Sequence, residues 1–335
     1  MSPLPLSAII VDGRETSYAR GMYQLFSSTP LACGWPHGLM SLATGLKIGV
    51  APEFVPTNWE GFNLRRSETE ALSQSQHWLT VERECSFVNR SVLAEMADVL
   101  RSAMLGFQLW APIGWSGVIV DCWKDDGERF TVDHVHLCEG YATPRWTQAL
   151  NVAQVSPESL PSLIQGTLTA IQSGFVPIVN PFRFLEIGLQ TSINHRRAGT
   201  VLWMMGLDGL LGAEKQALFS KRLQKLLGTA TRLFPDWTEN PPTFTVADVA
   251  ADMYEFRSLI AHGKEIIEKY RLPISVEVDR ERMDKFATQR WSRGTLMIEC
   301  TVFALLAALR EIITSGLIER MRDQKNWKRW LDAPV

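Results

Sequence analysis

Apolar positions recur along this chain with two different periods. From Ser86 onward, Phe87, Leu93, Met96, Ala97, Leu100 and Met104 fall at helical spacing, and Gly106 reads as the stop. The stretches GWSGVIVDCW (114–123) and FTVDHVHLCE (130–139) alternate with period two instead. Asp126-Gly127 between them suits a hairpin turn, because glycine accepts a positive φ. Residues 1–80 are rich in Gly, Pro and Trp and weak in helical period, and read as short strands and loops. After Pro181 the pattern is helical. Helices are expected at 182–194, at 197–211 ending on Gly212, and at 214–227 ending on Gly228. Three more follow: 245–262 ending on Gly263, then 290–314 and 317–331. Thr245 opens the first of these as an N-cap, with Asp248 in the first turn, and Val249, Met253, Phe256 and Ile260 form its apolar stripe.

The change of period implies an α+β protein: a mixed, β-containing N-terminal domain followed by an all-α bundle. A chain of 335 residues is long for one core and fits two domains. The boundary is read from a connector at 151–180, where Pro157, Pro161, Pro177 and Gly174 surround a short helix near 158–172. Residues 1–150 then form the first domain and 181–335 the helical one. The first is expected to have its own core and to act as a sensor, binding a protein partner or a ligand.

Composition narrows the setting. The formal net charge is −2, so any nucleic-acid binding must come from a local basic patch. The five cysteines are scattered, with no CxxC pair, and the N-terminus lacks a basic, then apolar leader; together they imply reduced thiols in a cytoplasm. The apolar run Cys300–Leu309 is about half the length a bilayer requires and reads as a buried helix, so no membrane association is expected.

The most informative segment for chemistry is Arg257-Ser258-Leu259-Ile260-Ala261-His262-Gly263. Gly263 suits a left-handed residue just past a helix, which puts His262 at the helix end, open to a partner or substrate. Ser258 and His262 share a face, so the hydroxyl is placed to orient the imidazole. Such a pair suits metal-free RNA cleavage. The 2′-OH is the nucleophile, an imidazole moves the proton near neutral pH, and a guanidinium holds the phosphate. The bare spacing is unspecific: Arg129 and His134 repeat it on a strand-like segment. The alternative is structural, with His262 favourable at a helix C-terminus and Arg257 paired with Asp252 or Glu255.

The segment Tyr254-Glu255-Phe256-Arg257-Ser258 … His262-Gly263 resembles the core motif of the HEPN superfamily, closest to its Apea-like families. LWMMGLDGLLG (202–212) resembles their second motif, with Asp208 where Glu is expected, and FSKRLQKLLG (219–228) the third. The resemblance spans about 180–315. It implies a HEPN-like helical bundle, a homodimer, and a metal-independent endoribonuclease of defence or toxin systems, needing no cofactor. By resemblance Arg257, His262 and Ser258 are catalytic. A non-catalytic HEPN module that binds RNA or a protein is the rival.

Arg290, Arg293 and Lys264 are the candidate RNA contacts around that site. Two basic segments interleave with aromatics, Arg280–Arg293 around Trp291 and Arg320–Trp330 around Trp327. Each suits gripping phosphates and stacking bases, or else a solvated helix face with its Trp in the core. His134, His136 and Cys138 alternate on one strand face, with Cys122 across the hairpin, but the spacing fits no common zinc pattern and no metal is expected. GLKIG (45–49) lacks the spacing of a phosphate-binding loop.

Overall fold

A computed structural model describes residues 16–25, 40–43, 46–50, 77–84, 90–110, 115–125, 130–141, 157–192, 194–234, 244–264, 268–271, 273–277 and 288–334, with the extended segments largely as backbone. The helices are α1 (Arg90–Trp110), α2 (Leu160–Gln172), α3 (Val176–Ser192), α4 (Arg196–Leu211) and α5 (Gln216–Leu227). They continue with α6 (Val246–Ala261), α7 (Glu268–Arg271), α8 (Arg293–Thr314), α9 (Ile318–Met321) and α10 (Gln324–Asp332).

The expected α+β class, with its β-containing N-terminal domain, is corrected. The part of the chain described with its side chains is 81% helical and shows no β-containing N-terminal domain, so that part is all-helical. In the N-terminal half, backbone segments at 16–25, 40–43, 46–50, 77–84, 115–125 and 130–141 run extended. Apart from buried Val81, their side chains are not described, and no core or face can be assigned to them. The Asp126-Gly127 turn and the side chains of Cys122, His134, His136 and Cys138 lie outside the described residues.

The chain divides into two compact units. In the first, α1 runs through Gly106 instead of stopping there. A Cβ at Gly106 would lie 2.9 Å from Ile164 Cα of α2, so the glycine permits close approach of the two helices. A mid-helix glycine costs about 1 kcal/mol; burial of Leu100, Met104 and Phe107 on α1, and of Leu163, Ile164 and Leu168 on α2, offsets it.

The second unit contains α3–α10. At its centre lies α8, which buries residues all round, from Leu296 through Leu305 to Ile312, and packs against α3, α4, α5, α6 and α7. The apolar run at 300–309 is thus a core helix. Ser292 caps it by accepting from the Thr295 N–H at 3.1 Å. Arg196 of α4 reaches the buried Glu299 of α8 at 3.1 Å. Helix α3 begins at Val176, five residues before buried Pro181, which lies within it. The expected 317–331 helix is broken into α9 and α10, because Asp323 caps α10 through the N–H groups of Lys325 and Asn326. Trp327 of α10 is 2% exposed and donates its Nε1–H to the Leu210 carbonyl at 2.7 Å, securing α10 to the end of α4.

No single described helix is long and apolar enough to cross a membrane; the consecutive helices α2 and α3 pass that test only when taken together.

Candidate functional site

Helix α6 positions the site. Its N-terminus is fixed by the Thr245 N–H donating to the Asp248 carboxylate at 2.8 Å, as the T-x-x-D spacing predicts. That bond holds the Asp248 carboxyl below its usual range. Val246, Val249, Ala250, Met253 and Phe256 turn inward. The helix ends at Ala261, with His262 as its cap and Gly263 following at φ 61°. The Lys264 N–H donates back to the Leu259 carbonyl at 2.9 Å, closing the turn that only a left-handed residue permits.

Arg257 faces α4. Its Nη2 donates to Asp208 Oδ2 at 2.8 Å, with the two side chains 23% and 22% exposed. The guanidinium carbon lies 5.6 Å from the centroid of the Tyr254 ring. That ring is held in turn by Phe219, centroid to centroid 5.4 Å, and by its hydroxyl donating to the Glu214 carbonyl at 2.9 Å. The guanidinium is therefore held by a carboxylate and an aromatic ring. The contact is one-pronged: Arg257 Nε and Asp208 Oδ1 are buried and bond no described group. Burial raises the Asp208 carboxyl to about 6, against the lowering effect of Arg257. At contact distance the guanidinium would ordinarily hold a carboxylate ionised, so desolvation with one oxygen unbonded outweighs a single hydrogen bond.

His262 and Lys264 are exposed, and Ser258 is half-buried. The His262 backbone N–H donates to the Ser258 carbonyl at 3.2 Å, and no hydroxyl–imidazole hydrogen bond accompanies it among the described residues. Five residues correspond to about 140° round the helix, so the structure does not bring Arg257 and His262 onto one face.

Arg293 is engaged by Asp252, its Nε donating to Oδ2 at 2.8 Å. Lys269 donates to Asp252 and Glu255, each at 2.7 Å, and the Tyr270 hydroxyl donates to Glu255 at 2.9 Å. The carboxylates considered as partners of Arg257 thus serve α7 and α8 instead. Burial would raise the Asp252 carboxyl, but the Lys269 and Arg293 hydrogen bonds outweigh it and hold it low. The side chain of Arg290, and all of Arg129, Arg280, Arg282 and Lys285, lie outside the described residues.

Sequence reasoning missed Asp208 and Tyr254 as the partners of Arg257. The available signal was an acidic residue in the otherwise apolar 202–212 segment, since a partly buried charge requires a counter-charge. Among the described residues, no group of three or more His, Cys, Asp or Glu could hold a metal ion. No protein-family model, curated protein or solved structure matches this chain.

Proposed function

We propose that the helical unit is a metal-independent endoribonuclease of HEPN type, in which Arg257 binds the scissile phosphate and His262 transfers the proton. The reading is carried by one observation: an exposed imidazole at the end of α6, five residues after a guanidinium held by Asp208 and Tyr254. A held guanidinium loses less side-chain freedom when phosphate arrives, and it stabilises charge on the pentavalent transition state. The imidazole takes the 2′-OH proton, the 2′-oxygen attacks phosphorus, and the imidazolium so formed gives that proton to the departing 5′-oxygen. The products are a 2′,3′-cyclic phosphate and a 5′-hydroxyl end. The resemblance suggests a defence or toxin role.

A second reading is favoured by the Asp208 pair itself. A carboxylate that neutralises Arg257 weakens its pull on phosphate, as suits a non-catalytic HEPN module that binds RNA or a protein. RNA cleavage in EDTA by the full chain, beside His262→Ala and Arg257→Ala, separates the two. The enzyme requires cyclic-phosphate ends from the unaltered chain and loss of most activity in both variants. Cleavage that is strictly Mg²⁺-dependent, or equal in all three proteins, rules it out.

A further inference from the structure

The C-terminal helix α10 carries a basic surface whose acidic neighbours are already engaged. Glu319 pairs with Arg322 at 3.1 Å, and the Asp323 carboxylate caps the helix. Asp332 takes a two-pronged pair from the buried Arg222, with both contacts at 2.8 Å. Exposed Arg320, Lys325, Lys328 and Arg329 form no salt bridge with a carboxylate among the described residues, and Lys328 only helps the Arg222 pair hold the Asp332 carboxyl low. Lys325, Lys328 and Arg329 fall at i, i+3 and i+4 and share the face opposite buried Trp327 and Leu331.

The surface is rigidly backed. The half-buried Trp330 stacks on Trp327 with centroids 5.1 Å apart and planes 15° from parallel. The Arg320 guanidinium and the Lys225 ammonium lie 5.5 and 5.8 Å from its ring centroid. Lys221 and Lys225 of α5 donate to the carbonyls of Asp332 and Pro334, adding two cations beside the helix. The surface also approaches the candidate site. A Cβ at Gly212 would lie 3.2 Å from Lys328 Cε, and the Gly212 N–H donates to the Asp208 carbonyl at 2.7 Å. Lys328 therefore sits over the end of the helix that holds Arg257 through Asp208.

We propose that this face of α10, with Lys325, Lys328 and Arg329 and the adjacent Arg320 of α9 as its phosphate contacts, binds the backbone of an RNA strand that extends from Arg257. The assignment rests on the ribonuclease reading for the identity of the polyanion. A row of cations on a rigid helix binds phosphodiesters without reading sequence. A membrane surface fits less well. Insertion needs exposed apolar groups beside the cations, and the large exposed apolar side chains among the described residues, Val176, Ile187 and Met205, lie on α3 and α4.

The test is fluorescence anisotropy of a labelled oligouridylate in EDTA across a salt series. It uses the full chain carrying His262→Ala, so that no strand is consumed, with and without Lys325→Gln, Lys328→Gln and Arg329→Gln together. Losing three phosphate contacts should weaken binding at least about tenfold at low salt and reduce the log–log salt slope by about two. Circular dichroism should be unchanged, since all three side chains are exposed. An unchanged affinity and slope overturn the proposal, as does binding to phosphatidylserine vesicles without binding to the oligonucleotide. A chain that binds RNA through this face yet never cleaves it refutes only the enzyme; one that cleaves RNA while the triple variant binds as before refutes only this surface.

Discussion

The guanidinium of Arg257 lies 2.8 Å from the carboxylate of Asp208, 49 residues earlier in the chain, and this contact joins two helices at the candidate site. Breaking a partly buried ion pair from one side costs more than the pair contributes, because the remaining charge keeps its burial and loses its counter-charge. Arg257→Ala should therefore destabilise the fold by about 2 kcal/mol in urea unfolding. It should also move the Asp208 titration upward from about 6, since the lowering influence is removed. Carboxyl NMR showing an unchanged or lower midpoint would contradict this account.

Asp208 also gives stability a pH dependence of definite sign. Its folded value is about 6, above the ordinary aspartate value of 3.8. Between those values the folded state holds the proton more tightly than the unfolded state does. The contribution of Asp208 to stability therefore declines as pH rises from about 4 to about 6, and it stays lost above that. The full span corresponds to about 3 kcal/mol at most. Asp208→Asn should remove this component, so the stability of the unaltered chain relative to the variant should fall through that window. A difference that is flat with pH would show that Asp208 is ionised throughout.

Asp252 should behave in the opposite way. Lys269 and Arg293 hold its carboxyl low, so its contribution is present above about pH 4 and is lost as pH falls through the folded value. Asp252→Ala should cost about 2 kcal/mol at neutral pH and progressively less as the pH falls through the lowered folded value, as read by chemical unfolding. The variant leaves two cations beside each other with only Glu255 to share. A cost independent of pH would mean the loss is one of packing.

Much of the helical half was legible because its signals are local. Thr245 with Asp248, Gly212 at φ 56° and Gly263 at φ 61° mark helix ends by residue type alone. Asp323 carries the same kind of signal inside the expected 317–331 helix, where it starts a separate helix. Gly106 and Pro181 mislead for a different reason. Both usually end helices, but here Gly106 permits close approach to Ile164 and Pro181 is buried within α3, and tertiary packing overrides the local preference. The pairing of Arg257 with Asp208 was not legible. Asp252 and Glu255 are closer in sequence, and only the placement of α7 and α8 shows them already engaged. The α+β expectation failed because alternation at 114–139 does not reveal what, if anything, a strand would pack against.

Trp327 should be the most costly aromatic of the C-terminal segment. It is 2% exposed and donates its indole N–H to Leu210. Trp327→Ala should cost about 3–5 kcal/mol. Trp327→Phe keeps most of the apolar volume but leaves the Leu210 carbonyl without that donor, and should cost about 1–2 kcal/mol. Thermal unfolding of the two variants checks the order; equal costs would mean that the hydrogen bond rather than the burial dominates.

The geometry of α6 finally bears on assembly. Arg257 turns toward Asp208, while His262 projects from the helix end about 140° away. One helix cannot aim both groups at a single phosphate. Two copies of the helix end related by a two-fold axis can, each supplying a guanidinium and an imidazole to a shared cleft, and such an interface is self-complementary by symmetry. The cleft would be basic although the chain carries a net charge of −2, and would draw RNA by its local field. If the proposed activity resides there, an Arg257→Ala chain and a His262→Ala chain, each inactive alone, should partly restore cleavage when mixed. Sedimentation should show a dimer at the concentrations where activity appears, and specific activity should fall on dilution below the dissociation constant. Cleavage by a strict monomer, at a rate per chain that is unaffected by dilution, would rule out the shared cleft. It would then require His262 to act with a cation other than Arg257, of which exposed Lys264 is the nearest in sequence.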